Sequence, residues 1–170
     1  MQSIQKLQSG AGQRLRSQYL YSSFRRVVAK LVESAFASSC SRVEIFVNFS
    51  NFELRVCDNG KGVGAAELEA IRSAWLAQSS LSEGTSSAAE LALLAHVGDL
   101  QIVSREAGKP ETLQLALPLP ATVAACSPRS SCGTSVSLLN FFKGSPVRRL
   151  ALNAKREAEL LQQFAVAAAV

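Results

Sequence analysis

Hydrophobic and polar positions change their period several times along the chain, and each change predicts a new element. In SSFRRVVAKLVESAF, Phe24, Val27, Val28, Leu31, Val32, Ala35 and Phe36 recur at helical spacing, with Ser22 or Ser23 in the capping position. RVEIFVNF then alternates Val43, Ile45, Val47 and Phe49 against Arg42, Glu44 and Asn48, and FELRVC alternates Phe52, Leu54 and Val56 against Glu53 and Arg55. With Ser50 and Asn51 between them, the two segments predict an antiparallel hairpin. AAELEAIRSAWLAQ returns to helical spacing through Leu68, Ile71 and Trp75. The small, polar SSLSEGTSS predicts a flexible connection before a short apolar helix around Ala88 to Val97. LQIVSR and TLQLALPL predict strands joined across Gly108, Lys109 and Pro110. A proline-containing loop then leads to CGTSVSLLNFF, a strand with Thr134, Val136 and Leu138 on one side, and an alanine-rich helix starts near Asn153. This order predicts an α+β two-layer sandwich, a mostly antiparallel sheet with helices packed on one face.

Composition narrows the class. The 170 residues, 48% hydrophobic and 18% charged, suit one domain with a real core and exclude a disordered chain. The longest apolar runs, ELALLAHVG and FAVAAAV, are too short to cross a bilayer, so no membrane role is expected. Cys40, Cys57, Cys126 and Cys132 lack CxxC spacing and the only histidine, His96, lies in an apolar stretch, which predicts buried reduced thiols rather than a zinc site. The net charge of +5 is concentrated at two places. Residues 1 to 30 carry Lys6, Arg14, Arg16, Arg25, Arg26 and Lys30 without an acid, and residues 140 to 156 carry Lys143, Arg148, Arg149, Lys155 and Arg156 without one. If the two segments meet, they form a patch attractive to a phosphate backbone; the alternative is a pair of solvated helix faces. The basic, serine-containing opening also has the composition of an organellar transit peptide.

The most informative chemistry lies in Asp58, Asn59, Gly60, Lys61, Gly62, Val63 and Gly64. A carboxylate at a strand end accepts hydrogen bonds from an exocyclic amine, and glycines beside it let the backbone approach a flat ligand. The pattern is neither a Walker loop nor a Rossmann fingerprint. Taken alone it describes a turn.

It is preceded by LVESAF and a hairpin, and followed about seventy residues later by Gly133, Thr134, Ser135 and Val136, then Leu139, Phe141, Phe142, Ser145, Pro146, Val147, Arg148 and Arg149. This ordered set resembles the GHKL ATPases, the family of gyrase B, Hsp90, histidine kinases and MutL, and within them the MutL-type mismatch-repair proteins. KLVESAFAS, DNGKGV and GTSVSLLNFFKGSPVRRLAL match that family's first helix, adenine loop and later strand, and IQKLQSGAGQRLRSQYLYSSF resembles the opening of the meiotic MutL-gamma branch. The resemblance implies a GHKL-type α/β sandwich over 1–170, with the family's second, transducer domain and its dimerisation domain outside these residues. It implies that Asp58, Gly60, Gly62 and Thr134 hold the adenine of ATP, and that Arg148 and Arg149 form the basic pair that meets DNA. A helix start with solvated charges is the competing reading of that pair.

The departures fall at the phosphate end. Where the family has a glutamate that activates water and, four residues on, an asparagine that holds Mg²⁺, this chain has Lys30 and Ser34. A lysine ammonium cannot take a proton from water and repels a metal, and one hydroxyl organises an octahedral ion poorly. Glu33 corresponds to a non-catalytic glutamate of the motif. The family's nucleotide lid is shortened to SEGTSSAAEL, with Gly84 and Glu90 as its remnants. The expected protein is therefore a nuclear mismatch-repair subunit that uses ATP, with Mg²⁺ in doubt, as a conformational ligand. It closes with another MutL-family subunit and hydrolyses weakly. The alternatives are an interaction module that binds no nucleotide, or a kinase-like member of the superfamily, which the PVRR segment disfavours.

Overall fold

The computed structural model describes residues 11–77 and 86–169. Along the chain run α1 (Ala11–Leu20), α2 (Phe24–Ala37), β1 (Val43–Asn48), β2 (Glu53–Asp58), α3 (Ala65–Ala77), α4 (Ser87–Leu94), β3 (Asp99–Arg105), β4 (Thr112–Leu117), β5 (Val123–Ala125), β6 (Gly133–Leu139), α5 (Pro146–Leu150) and α6 (Ala154–Ala168). The strands form one six-stranded sheet in the order β1-β2-β6-β3-β4-β5. Every pairing in it is antiparallel. This is the expected α+β sandwich.

The last strand in the chain, β6, enters between β2 and β3, and this insertion makes the site. Residues far apart in sequence become neighbours there: Cys57 pairs with Ser135, and Ser104 pairs with Thr134. The alternation seen in the sequence sends Leu54, Val56, Leu100, Ile102, Leu115, Leu117 and Leu138 into the core. Helix α2 covers this face with Phe24, Val27, Val28, Leu31, Val32 and Ala35, all buried, and Ser23 caps it by accepting from the Arg26 amide. Phe24 stands edge-on to Phe49 at 5.1 Å and to Phe141 at 4.9 Å, fastening helix, hairpin and β6 together. Full burial of such a ring is worth about 3 kcal/mol.

The boundaries differ from the sequence reading where side chains are engaged elsewhere. The hairpin closes at Asn48 and Glu53, so Phe49 and Phe52 belong to the turn. Phe49 leaves the ladder for Phe24, and Phe52 lies under Arg149. β4 stops at Leu117 because Pro118 has no amide to donate. Helix α1 and the three-residue edge strand β5 have no counterpart in the hydrophobic periodicity; α1 buries only Ser17, and β5 lies in the segment read as a loop. The connection read from SSLSEGTSS lies mostly outside the described residues. All four cysteines are free, and they are half-buried rather than buried. Among the described residues no helix is long and apolar enough to cross a membrane.

Candidate functional site

Asp58 closes β2, and its carboxylate is fixed from both sides. Oδ1 accepts from the Gly60 amide at 2.8 Å and from the Thr134 amide at 3.3 Å. Oδ2 has no hydrogen-bond partner among the described residues, so an acceptor with a fixed orientation is left for a ligand. The buried Thr134 hydroxyl lies 3.1 Å from Ser104 Oγ. Ser104 Oγ in turn accepts from the Val63 amide at 2.7 Å and donates to the Gly133 carbonyl at 3.3 Å. One assignment satisfies the whole set: Ser104 gives its proton to Gly133, and Thr134 gives its own to Ser104. Thr134 keeps its lone pairs for a further donor. The structure thus brings Asp58, Gly60 and Thr134 together, while Gly62 lies against the Arg105 carbonyl.

The glycines are required for a different reason than a close ligand. A Cβ on Gly133, whose φ is +120°, would stand 2.1 Å from the Asp58 carbonyl. One on Gly62, at φ +74°, would stand 2.2 Å from the Arg105 carbonyl. Protein backbone, not ligand, occupies the space that these glycines free. Beside them the Lys61 amide donates to the Ser38 carbonyl at 3.1 Å, which ties the loop to the end of α2.

Two further residues hold the loop: Asn59, legible only as a member of the loop motif, and Arg129, which carries no legible signal in the sequence. Asn59 accepts from the Ser41 and Arg42 amides at 3.0 and 2.8 Å and donates to Ser41 Oγ at 2.9 Å. Arg129 reaches in from the β5–β6 connection; it donates to the Asp58 carbonyl at 3.2 Å and to Ser135 Oγ at 2.7 Å. Being one arginine in a serine- and proline-containing loop, it has no periodicity to mark it. Cys40 is near enough that burial and the Asp58 carboxylate push its thiol up, which keeps it protonated at neutral pH.

The region around Lys30 and Ser34 is built otherwise. Lys30 is on α2 with its Nζ in an ion pair with Glu90 of α4 and 3.8 Å from Glu33. Glu33 is largely exposed. The Glu90 carbonyl also accepts from the Tyr21 hydroxyl at 2.9 Å, and Tyr21 is pushed far up by burial and by Glu90. Glu90 therefore serves as a tie between α4 and α2; Gly84, the other expected lid remnant, lies outside the described residues. Ser34 follows Lys30 by one helical turn. A hydroxyl beside an ammonium does not fit Mg²⁺, and no group of three His, Cys, Asp or Glu suited to a metal occurs among the described residues.

The two basic segments do meet. Arg148 Nη1 donates to the Gln18 carbonyl at 2.6 Å, joining α5 to the end of α1. Arg148, Arg156, Ser22 and Ser23 line one cavity of about 380 Å³ together with Glu157. The reading of Arg148 and Arg149 as solvated charges is corrected, because both are half-buried and already engaged. Arg149 Nε donates to the Phe141 carbonyl at 2.9 Å, and the guanidinium lies 4.6 Å above the Phe52 ring. Arg149 Nη2 is buried without a hydrogen-bond partner among the described residues. The exposed charge at this junction comes from Arg25, Arg26, Lys155 and Arg156, which the motif does not single out.

Comparison with known proteins places this arrangement. Residues 21–124 match the family model described as histidine kinase-, DNA gyrase B-, and HSP90-like ATPase. No curated protein matches the chain in sequence. Among solved structures, the N-terminal domain of a DNA repair protein superposes with a TM-score of 0.68 at 18% identity, covering 91% of this chain and 46% of that one. The Aquifex aeolicus MutL ATPase domain complexed with ADP gives 0.59 at 21%, covering 81% and 51%. The ATPase domain from the bacterial mismatch repair endonuclease Aquifex aeolicus MutL gives 0.59 at 20%, covering 84% and 50%. The chain spans about half the length of these solved chains.

Proposed function

The chain belongs to the histidine kinase-, DNA gyrase B- and HSP90-like ATPase family, and we propose that it acts there as a MutL-like DNA-repair module. In this reading it binds adenine nucleotide as a conformational ligand and hydrolyses it weakly at most. The observation that carries the reading is the Asp58 carboxylate, anchored through Oδ1 and open at Oδ2, beside the Thr134 hydroxyl. Asp58 accepts a hydrogen of adenine's exocyclic amine, and Thr134, its own proton given to Ser104, accepts from a water that donates its other hydrogen to the neighbouring ring nitrogen. Preorganised groups of this kind lose little freedom on binding.

Nothing comparable supports hydrolysis. Lys30, paired with Glu90, holds an ammonium where the resemblance expects a general base, and Glu33 faces solvent. Nucleotide supplies binding energy that favours one conformation over another, and that shifts a population without any bond being broken. The conformational partner is a homologous subunit, and the DNA-facing surface is the junction of α1, α2, α5 and α6. Arg25, Arg26 and Arg156 supply its phosphate contacts, while Arg148 and Arg149 hold the junction together. Each phosphate that the protein ceases to neutralise is expected to flatten the dependence of log affinity on log salt by about 0.9. Replacing all three exposed arginines by glutamine tests this.

Titration calorimetry with adenosine and with ADP tests the nucleotide site itself. Asp58→Asn keeps the Oδ1 acceptor but puts an amide donor opposite the adenine amine, so binding is expected to weaken by about a hundredfold with the fold retained. Absence of heat and of thermal stabilisation at millimolar nucleotide would replace this reading with that of an interaction module.

A further inference from the structure

Lys30 and Ser34 on α2 and its C-cap Ser38 follow at four-residue intervals, so the three stand in a row that ends at the Asp58 loop. Ser38 is fixed at the base end, where its carbonyl accepts from Lys61. Lys30 lies about 12 Å further along the axis, a reach comparable to that from the adenine ring to the second phosphate of an extended nucleotide. At that point the row meets α4, and among the described residues the Lys30 ammonium is bound there by carboxylates: Glu90 in close contact and Glu33 at 3.8 Å.

We propose that Lys30 is the phosphate-binding residue of this site, which makes its nucleotide binding independent of divalent metal. The inference rests on the nucleotide reading above. The row contains no carboxylate or amide to ligate a cation, and an ammonium at its end repels one. The same ammonium suits a phosphate as a point charge with three donors. Its present partner is exchangeable: the side chain of Lys30 is 28% exposed and that of Glu90 34%, and ion pairs at such positions give up their partners readily. Phosphate oxygens displace Glu90 from Lys30, and the Glu90 side chain, now a like charge beside the phosphates, swings away toward solvent. Nucleotide occupancy is thereby coupled to release of the α2–α4 tie, while the Tyr21 hydroxyl retains the backbone end of that tie.

The test is titration of adenosine and ADP into the protein with EDTA and with Mg²⁺. ADP is expected to bind at least as tightly in EDTA as in Mg²⁺. Lys30→Met is expected to weaken ADP by about tenfold and leave adenosine unchanged, whereas Glu90→Gln, which frees the ammonium and removes a repelling charge, tightens ADP. Adenosine binding and the unfolding midpoint serve as checks that each variant folds. ADP binding that requires Mg²⁺, or that ignores Lys30→Met in EDTA, overturns this proposal and leaves the nucleotide reading in place. Failure of both adenosine and ADP to bind under either condition overturns the nucleotide reading and this proposal with it.

Discussion

At the base end of the site, polar atoms are locked into the sheet: Asp58, Thr134, Ser104 and Val63 form one hydrogen-bonded chain linking β2, β6, β3 and the glycine loop. At the phosphate end, Lys30 and Glu90 join two helices through partly exposed charges. The first arrangement cannot change without disturbing strand order, because its members also satisfy buried backbone groups. The second can be rewritten one residue at a time at small cost to folding. In the proposed reading, this division lets the Lys30 end lose hydrolytic groups while the Asp58 end is kept as part of the architecture.

The sharpest way to break the comparison is at the backbone contact between β2 and β6. Gly133→Ala puts a Cβ against the Asp58 carbonyl at a positive φ, and neither strand can yield without losing its register. Destabilisation of at least about 3 kcal/mol is expected in urea unfolding, together with loss of adenosine binding. A cost under about 1 kcal/mol would show that the base end is softer than its hydrogen bonds suggest.

A substitution one step along the chain of hydrogen bonds gives a smaller effect. Ser104→Ala leaves the Val63 amide without its acceptor and Thr134 without its partner, and Ser104 itself is 1% exposed. A cost of about 1–3 kcal/mol is expected, with adenosine affinity falling in parallel. Stability that drops while adenosine affinity holds would separate the fold from the pocket.

How much of this is legible in the sequence follows the same division. The α2 stripe, the alternation in β1, β2 and β6, and the Asp58 and Thr134 motifs are readable because burial imposes period and chemistry imposes residue type. Arg129 is invisible, and Asn59 is readable in the loop motif but not in its role, for the opposite reason: a loop side chain that bonds to main-chain carbonyls and amides leaves no periodic trace. The glycines are legible as residues but not in their cause: Gly62 and Gly133 make room for Arg105 and Asp58, a requirement that only the strand order reveals. Arg148 and Arg149 are legible as a motif but not as half-buried groups, because the aromatic faces and carbonyls that engage them come from the residues after β6, the hairpin turn and α1.

Acid reaches the two ends unequally. His96, just after α4, lies 4.6 Å from the Trp75 ring and 3.2 Å from Gln13 Oε1. Burial, and then Arg14, hold its imidazole below the usual range. A depressed histidine favours the neutral form in the folded state, so its contribution is intact above the unfolded value of about 6.5 and declines as pH falls through and below it. Amide exchange in α1 and α4 is expected to accelerate, relative to the Asp58 loop, between neutral pH and pH about 5.5. His96→Gln should flatten that dependence; an unchanged slope would assign it to carboxylates instead.

The smallest expected effect on folding is the most telling for the comparison. Lys30→Met removes a charge whose ion pairs among the described residues are with Glu90 and Glu33, and it keeps an unbranched apolar stem. Exposed and partly exposed pairs contribute about 0–1 kcal/mol, so the unfolding midpoint should barely move. A residue whose removal the fold hardly registers, set beside Gly133, whose replacement it cannot absorb, locates where this site has been able to change. If Lys30→Met instead costs as much as Ser104→Ala, the α2–α4 tie belongs to the core, and the two ends of the site are equally constrained.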